Sequence, residues 1–122
     1  MEKIVFLPGA SGNIDFWKPL IEFLPKKYEK QIIGYPGFGR IAEDTRLKSF
    51  SDLQEYVTGK INSESILIAQ SMGGIFAVNK AFTDPSLIKG LVLIATSGGI
   101  DLTPFNVQDW RTEYQEQYPR YP

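Results

Sequence analysis

One serine in the chain lies where a buried strand should turn sharply into a helix. The stretch Ser65–Val78 reads SILIAQSMGGIFAV, so an apolar run ends at Gln70-Ser71 and two glycines follow before apolar residues resume. A serine at such a turn projects its Oγ from the carboxyl end of the strand, clear of its neighbours, as a nucleophile in acyl transfer must. Ser71 is therefore the candidate catalytic residue.

The residues around Ser71 have the sizes that this turn needs. Ala69 and Gly73, two positions to either side, are predicted to lie against each other, and Gly74 would let the helix approach the sheet closely. The start of the helix directs free N–H groups and a partial positive charge at the site, so the amide of Met72 is expected to donate to a developing oxyanion. Taken alone, Gln-Ser-Met-Gly-Gly is equally compatible with an ordinary strand–helix turn that carries a capping serine.

Two further loops follow predicted strands and could complete such a site. Leu7–Gly12 reads LPGASG after the first strand, and a second oxyanion donor usually comes from a loop of this kind. Tyr35–Arg40 reads YPGFGR after the second strand, and its glycines have the wrong spacing for a dinucleotide-binding fingerprint. Each of the two loops, by itself, is also explained as a tight turn.

The chain contains no histidine among its 122 residues, so it offers no imidazole to act as general base for Ser71. Asp101 follows the last predicted strand and is the alternative position for a catalytic acid, but with no histidine to orient it better fits a loop or cap residue. Four other charged side chains are expected to be ordinary solvated positions, without a serine–lysine dyad: Asp109, Glu113, Lys80 and Lys89.

Short apolar strands alternate with amphipathic helices along the chain. Strands are predicted at Lys3–Leu7, Gln31–Tyr35, Ser65–Ala69 and Leu91–Ala95, and helices at Asp15–Tyr28, Asp52–Ile61 and Met72–Phe82. Asp15 is the predicted cap of the first helix, and Ser49 or Ser51 that of the second. The third helix is expected to bury one apolar side, formed by Ile75, Phe76, Val78, Ala81 and Phe82. Because the strands are apolar on both faces, we predict an α/β fold with a parallel sheet of about four strands and helices on both faces.

Composition excludes several classes of function. Hydrophobic residues make up 43% of the chain and charged residues 22%, with a net charge of −1 and no basic stripe for nucleic acid. No apolar run approaches the roughly 20 residues that cross a membrane. The absence of cysteine fits a reducing compartment, so a cytoplasmic protein is expected. Nothing in the sequence indicates a metal site or a cofactor.

On these residues the chain resembles the α/β-hydrolase superfamily, and within it the esterase branch that includes the biotin-pathway carboxylesterase acting on a pimeloyl-carrier methyl ester. The family pattern reads H-G-x-x-G, D-x-P-G-x-G-x-S and G-x-S-x-G-G at the three loops, against PGASG, GYPGFGRI and AQSMGG here. The resemblance covers nearly the whole chain and implies Ser71 as nucleophile, with the backbone amides of Ala10 and Met72 as the oxyanion hole. Pro8 and Gly34 replace the usual His and Asp, which removes side chains that would brace the loops.

The resemblance also implies how the chain is organised. Residues 1–100 would form the N-terminal part of a hydrolase core, and residues 101–122 would begin a truncated lid, although the aromatic residues there equally fit a helix packed back onto the domain. The tail aromatics are Trp110, Tyr114, Tyr118 and Tyr121. In the family the acid and the histidine follow the nucleophile along the chain, and the segments that carry them are expected to lie beyond residue 122 or not to exist.

The expected function is a serine hydrolase of the carboxylic-ester type, present as an N-terminal portion and acting on a small-molecule ester or acyl substrate. The alternative is a non-catalytic, degenerate module that acts by binding or oligomerisation. In both cases Leu91–Ala95 would form a bare apolar sheet edge, so we expect self-association or a complementing chain at that edge.

Overall fold

The computed structural model describes residues 2–99 and residue 104, and it contains one parallel sheet. Its strands are β1 (Lys3–Leu7), β2 (Glu29–Ile32), β3 (Ser65–Gln70) and β4 (Ile88–Ile94). They lie side by side in the order β2-β1-β3-β4, and each neighbouring pair is parallel. The predicted four-stranded parallel sheet is confirmed. The predicted lid, Asp101 and the tail aromatics lie outside the described residues.

Helices cover both faces of the sheet, as predicted. They are α1 (Lys18–Phe23), which follows a 3-10 turn at Ile14–Trp17, α2 (Phe50–Gly59) and α3 (Met72–Thr83). Alternate residues of β1 enter two separate cores, because successive side chains of a strand point to opposite faces. Val5 and Leu7 pack with α2 and α3, whereas Ile4 and Phe6 pack with Trp17 on the α1 side.

The first helix is shorter than predicted and begins at another residue. Asn13, not Asp15, caps the preceding 3-10 turn, where its side-chain oxygen accepts from the backbone N–H of Asp15 at 3.0 Å, and α1 itself begins at Lys18 without a side-chain cap. The helix ends at Phe23 because the following Leu24 adopts an extended conformation, with ψ of 147°, before Pro25. A residue that precedes proline is sterically driven out of the helical region, so the predicted continuation to Tyr28 was wrong.

The second strand lies earlier than the predicted Gln31–Tyr35. Ile32 is the last residue of β2 in register with β1, opposite Phe6, and the N–H of Ile33 still donates to the Phe6 carbonyl at 3.0 Å. Since β1 itself stops before Pro8, the sheet has no regular partner for residues beyond this point. Tyr35 therefore lies in the loop after β2 rather than within the strand.

The second helix resolves the choice between two capping serines. The Oγ of Ser49 accepts from the backbone N–H of Asp52 at 3.1 Å, so the helix starts at Phe50 and ends at Gly59, two residues earlier than predicted at both ends. β3 extends one residue further than predicted, and β4 starts at Ile88 rather than at Leu91.

The third helix turns a different stripe of residues toward the sheet than the sequence suggested. Its buried residues include Phe76, Ala77 and Lys80, whereas Phe82, predicted to be buried, is 82% exposed. The expectation that Lys80 is an ordinary surface charge was wrong, because the side chain is buried and its Nζ lies 2.8 Å from Asp84 Oδ2. The carboxylate of Asp84 pairs with the buried ammonium group of Lys80, so the charge of Lys80 is compensated locally.

Candidate active site

Ser71 lies at the junction of β3 and α3 in a backbone conformation that side chains rarely adopt. Its φ is 51° and its ψ is −120°, and it is one of two non-glycine residues with positive φ among the described residues. The backbone is held in place on both sides, since the N–H of Ser71 donates to Ile94 at 3.0 Å and its carbonyl accepts from Gly74 at 2.9 Å. The side chain is exposed and does not cap the helix, so its Oγ is available for chemistry.

Gly73, two residues after Ser71, allows α3 to approach β1. A Cβ on Gly73 would overlap the carbonyl oxygen of Leu7 and lie 2.7 Å from the carbonyl oxygen of Pro8. The closest atoms to Gly73 therefore belong to the end of β1 and its loop, rather than to the predicted partner Ala69, which is itself fully buried. This close contact joins the nucleophile turn directly to the start of the candidate oxyanion loop.

Gly74 allows the same helix to approach the segment after β4. A Cβ on Gly74 would lie 2.7 Å from the Cβ of Thr96 and would overlap the rest of that side chain. Two successive glycines therefore set the depth at which the first turn of α3 lies against the sheet. The amide of Met72, the first residue of α3, has no partner within the helix.

The loop after β1 lies beside the nucleophile. A Cβ on Gly9 would be 3.3 Å from both the Cβ of Ser71 and the Oε1 of Gln70. The loop closes as a turn in which the N–H of Gly12 donates to the Gly9 carbonyl at 3.0 Å, and Ala10 is exposed within it. The amide of Ala10 is outside this hydrogen bond, and the structure brings its loop next to Ser71.

The loop after β2 packs against the loop after β1 through a pair of glycines. Gly12 has φ of 64° and Gly39 has φ of 59°, values that favour glycine. A Cβ on Gly39 would lie 2.7 Å from the Gly12 carbonyl, and a Cβ on Gly12 would lie 2.7 Å from the Gly39 nitrogen. The three loops that the sequence placed after β1, β2 and β3 are thus assembled at one edge of the sheet.

A tyrosine that the sequence interpretation did not single out connects two of these loops. The hydroxyl of Tyr35 donates to the carbonyl of Pro8 at 2.6 Å, and the whole side chain is buried. Burial raises the pKa of this hydroxyl well above the ordinary tyrosine value. The ring packs edge-on against Phe38 and Phe76. The sequence contained an indication of this hydrogen bond, since Tyr35 lies two residues after Ile33, in the same buried cluster, and a buried tyrosine hydroxyl needs a hydrogen-bond partner.

Apolar side chains occupy the space beside Gly34, where the family pattern has an aspartate. A Cβ on Gly34 would overlap the Cδ1 of Ile41 and lie 3.8 Å from the Cγ2 of Ile14. A carboxylate at this position would collide with Ile41 and lie next to hydrocarbon. The side of the site next to the β2 loop is therefore apolar rather than acidic.

The carboxyl groups with shifted pKa values belong to local ion pairs. Hydrogen bonds from Arg46 hold the pKa of Asp44 at about 2, and the neighbouring Lys18 lowers the pKa of Asp15. Within the described ranges, no cluster of three or more His, Cys, Asp or Glu side chains could hold a metal ion. The same part of the chain has no helix with the length and apolar character needed to cross a membrane.

A groove at the opposite, amino-terminal end of the strands contains Ser65, the first residue of β3. The Oγ of Ser65 donates to the Ser63 carbonyl at 2.9 Å and is therefore occupied. The groove is lined by Glu2, Lys3, Glu64, Ser65, Ile66 and Lys89. Among the described residues, Ser71 is the serine whose exposed hydroxyl makes no capping hydrogen bond and lies beside the main-chain N–H groups of the candidate oxyanion hole.

Known proteins with similar sequences are hydrolases. A family model described as "Alpha/beta hydrolase family" matches residues 4–121. The pimeloyl-[acyl-carrier protein] methyl ester esterase of Wigglesworthia glossinidia brevipalpis is 31% identical over 95 residues, which are 78% of this chain and 36% of that protein. The enzyme of the same name from Yersinia pseudotuberculosis serotype O:1b is 28% identical over 94 residues, with 77% and 36% covered. The chain thus spans about a third of the length of these curated relatives.

Solved structures share the fold. NosK from Streptomyces actuosus superposes with a TM-score of 0.73 at 22% identity, covering 97% of this chain and 54% of that one. A carboxylesterase structure from the thaumarchaeon Nitrososphaera gargenis gives a TM-score of 0.73 at 20% identity, covering 96% and 45%. At these identities the likeness concerns the arrangement of the strands and helices.

Proposed function

Because the chain belongs to the α/β-hydrolase family, we propose that it is the nucleophile-bearing portion of a serine hydrolase that acts on carboxylic esters. The observation that carries the proposal is the state of Ser71. It is an exposed serine with φ of 51° at the end of a central strand, and its side chain makes no capping hydrogen bond. A strained serine of this kind suits a nucleophile, whereas a structural turn would be better served by glycine.

The proposed oxyanion donors are the backbone amides of Ala10 and Met72. Met72 begins α3, so its N–H has no partner within the helix, and Ala10 lies in the turn whose first residue, Gly9, touches Ser71. Two main-chain donors from different loops would stabilise negative charge on the same carbonyl oxygen. They are held in place by the glycine contacts between the loops, which support a preformed site.

The proposed reaction is acyl transfer in two steps. The Oγ of Ser71 attacks the ester carbonyl carbon and gives its proton to a base, the alcohol leaves with a proton, and an acyl-serine remains. Water then attacks the acyl-serine and releases the acid. The base is not in this chain, which has no histidine. It would come from the part of the hydrolase fold that lies outside the third of the relatives' length covered here.

The proposed substrate is an ester with an apolar acyl or alcohol part. The apolar side chains of Ile14 and Ile41 lie beside Gly34 in the segment after β2, and Ile14 is 41% exposed. The matched relatives are named for the methyl ester of a pimeloyl group on a carrier protein, so an acyl methyl ester is the first substrate to test.

The second candidate function is a non-catalytic module that works by association, and β4 favours it. Its residues Leu91–Ile94 are between 38% and 46% exposed, although all four are apolar. The register with β3 places Val92 beside Ile68 on one face and Leu93 beside Ala69 on the other, so within the described residues both faces of the strand are partly exposed. We propose that this strand pairs with a second copy or with a complementing chain.

A covalent probe combined with chemical rescue tests the catalytic proposal on the chain as it exists. Imidazole added to the buffer supplies the missing base, and a fluorophosphonate reports a reactive serine by the mass of its adduct. We expect labelling of Ser71 to rise with imidazole concentration and to disappear in Ser71→Ala, because only this side chain is placed beside the donors. Peptide mass mapping locates the adduct.

Ser86→Ala is the matched control, since Ser86 is exposed and follows the carboxyl end of α3, whereas Ser71 precedes its amino end. It should label like the unmodified protein. If a correctly folded chain shows no adduct on Ser71 at any imidazole concentration, the catalytic proposal fails and the association module becomes the better account.

A further inference from the structure

We propose that Tyr35 is a positioning residue that fixes the oxyanion loop through its hydrogen bond to Pro8. The inference rests on the proposed function, because it gives the loop after β1 a task. Its basis is the 2.6 Å bond from the Tyr35 hydroxyl to the Pro8 carbonyl, a link between residues 27 positions apart in the sequence. The bond spans two loops that both end at the candidate site.

The Pro8 carbonyl is a buried acceptor that needs this donor. Pro8 is fully buried, and its carbonyl oxygen lies where a Cβ on Gly73 would approach to 2.7 Å, so the helix closes one side of it. A buried carbonyl without a donor is unfavourable, since it has given up its bonds to water. The Tyr35 hydroxyl satisfies it from the other side.

The geometry of the peptide carries this constraint to the proposed oxyanion donor. The Pro8 oxygen lies in the same rigid plane as the Gly9 nitrogen, so a fixed carbonyl fixes the direction in which the chain leaves toward Ala10. Gly9 in turn lies against Ser71 and accepts the bond from Gly12 that closes the turn. The peptide unit that accepts from Tyr35 is therefore followed directly by the unit that carries the Ala10 amide, the proposed oxyanion donor.

Tyr35 is itself well held. Its ring centroid lies 5.3 Å from that of Phe76 and 5.9 Å from that of Phe38, both in edge-on contact, and none of the side chain is exposed. Pro8 and Gly34 lack the polar side chains with which the family pattern would brace these loops. Tyr35, the residue after Gly34, supplies such a brace. Its neutral hydroxyl can be buried among apolar side chains because it has a hydrogen-bond partner.

Tyr35→Phe tests the inference because it removes the hydroxyl and keeps the ring. Amide hydrogen exchange measured by NMR should become about fivefold faster at Gly12, whose N–H closes the turn, as expected for the loss of one net hydrogen bond. The amide of Leu67 in the central strand, fully buried, should change much less. Tyr56→Phe is the matched control, since Tyr56 is partly buried and its hydroxyl has no hydrogen-bond partner within the described residues.

Three outcomes overturn the inference. The first is an unchanged exchange rate at the Gly12 amide, and the second is an equal increase in exchange rate at the Gly12 and Leu67 amides. The third is the same effect on exchange in Tyr56→Phe. Where Tyr35→Phe does not fold, the unmodified chain decides. A Tyr35 hydroxyl that ionises near the ordinary tyrosine value of about 10 contradicts a buried, hydrogen-bonded donor, and one that stays protonated well above that value supports it.

The same variant separates this inference from the proposed function. In the imidazole-assisted labelling, Tyr35→Phe should slow the reaction of Ser71 about fivefold without changing the probe concentration at half-saturation, since the donor is displaced while the binding surface remains. A faster Gly12 exchange in a chain whose Ser71 never reacts would retain the brace and reject the hydrolase. A reactive Ser71 with no effect of Tyr35→Phe on exchange or labelling would reject the brace and retain the hydrolase.

Discussion

At the scale of single residues, the candidate site depends on positions where the backbone conformation or a close contact restricts the size of the side chain. Ser71 keeps a Cβ in a region of positive φ, although neighbouring positions with positive φ, such as Gly12 and Gly39, are glycines. The chain thus accepts strain at a loop position where a hydroxyl would be useful, and Ala95 after β4 is the other non-glycine residue with positive φ among the described residues. Strain of this kind is typical of active sites and is of the order of 1–3 kcal/mol per residue.

Ser71→Gly should therefore stabilise the fold, by about 1 kcal/mol relative to Ser71→Ala, because it removes the Cβ that is strained at φ of 51°. Urea unfolding followed by circular dichroism gives the two free energies of unfolding. Ser51→Gly is the control of opposite sign, since Ser51 lies within α2, where glycine costs about 0.5–1 kcal/mol. Equal stability of Ser71→Gly and Ser71→Ala would show that the backbone at this position is not strained.

At the scale of elements, the site is formed by the way α3 lies on the sheet. The helix starts directly at the end of β3, and its first turn is held against β1 and against the segment after β4 by Gly73 and Gly74. The position of the helix axis therefore determines where the Ser71 side chain and the Met72 amide are. A change in side-chain size at the contact should disturb the site and the core together.

Gly73→Ala should lower the free energy of unfolding by about 1–3 kcal/mol, because the added methyl group would overlap the Leu7 carbonyl, and backbone at the end of a central strand cannot easily move. Thermal or urea unfolding measures the loss. Gly59→Ala is the matched control: nothing lies within 4 Å of a Cβ there, at the last residue of α2, so it should be neutral or slightly stabilising. A Gly73→Ala variant as stable as Gly59→Ala would contradict the close contact.

At the scale of the whole molecule, one end of the sheet is unlike the other. β2 at one end is short and mixed in character, EKQI, whereas β4 at the other end is longer and apolar, IKGLVLI. In the part of the chain that the structure describes, β4 has a neighbour on one side only and is exposed on both faces. An apolar edge strand is a site at which another chain can add a strand.

Leu93→Lys should abolish self-association of the chain, because a charge at the middle of the exposed part of β4 would have to be buried by a pairing strand. Sedimentation velocity over a range of concentrations follows the oligomeric state. Phe82→Lys is the matched control, since Phe82 is also apolar and exposed but lies on α3. A monomeric unmodified chain, or a loss of association with Phe82→Lys as well, would argue against pairing through β4.

The sequence by itself determined the order and type of the elements and the position of the candidate nucleophile. These features depend on local patterns: apolar runs of strand length, helical spacing of apolar residues, and the glycines that a sharp turn needs. For the same reason, the predictions were least accurate where another part of the chain sets the boundary. β2 stops where β1 stops, and α3 buries Lys80 because Gly73 orients the helix on the sheet.

Only the tertiary structure decided what lies next to what. That Gly73 packs on Leu7, that Gly9 touches Ser71, and that Tyr35 donates to Pro8 are contacts between residues far apart in sequence. A periodic pattern reports which face of an element is apolar, but the partner of a buried hydroxyl depends on the distance and angle at which two loops meet. The sequence thus located the serine, and the packing of three loops on one sheet edge made a site around it.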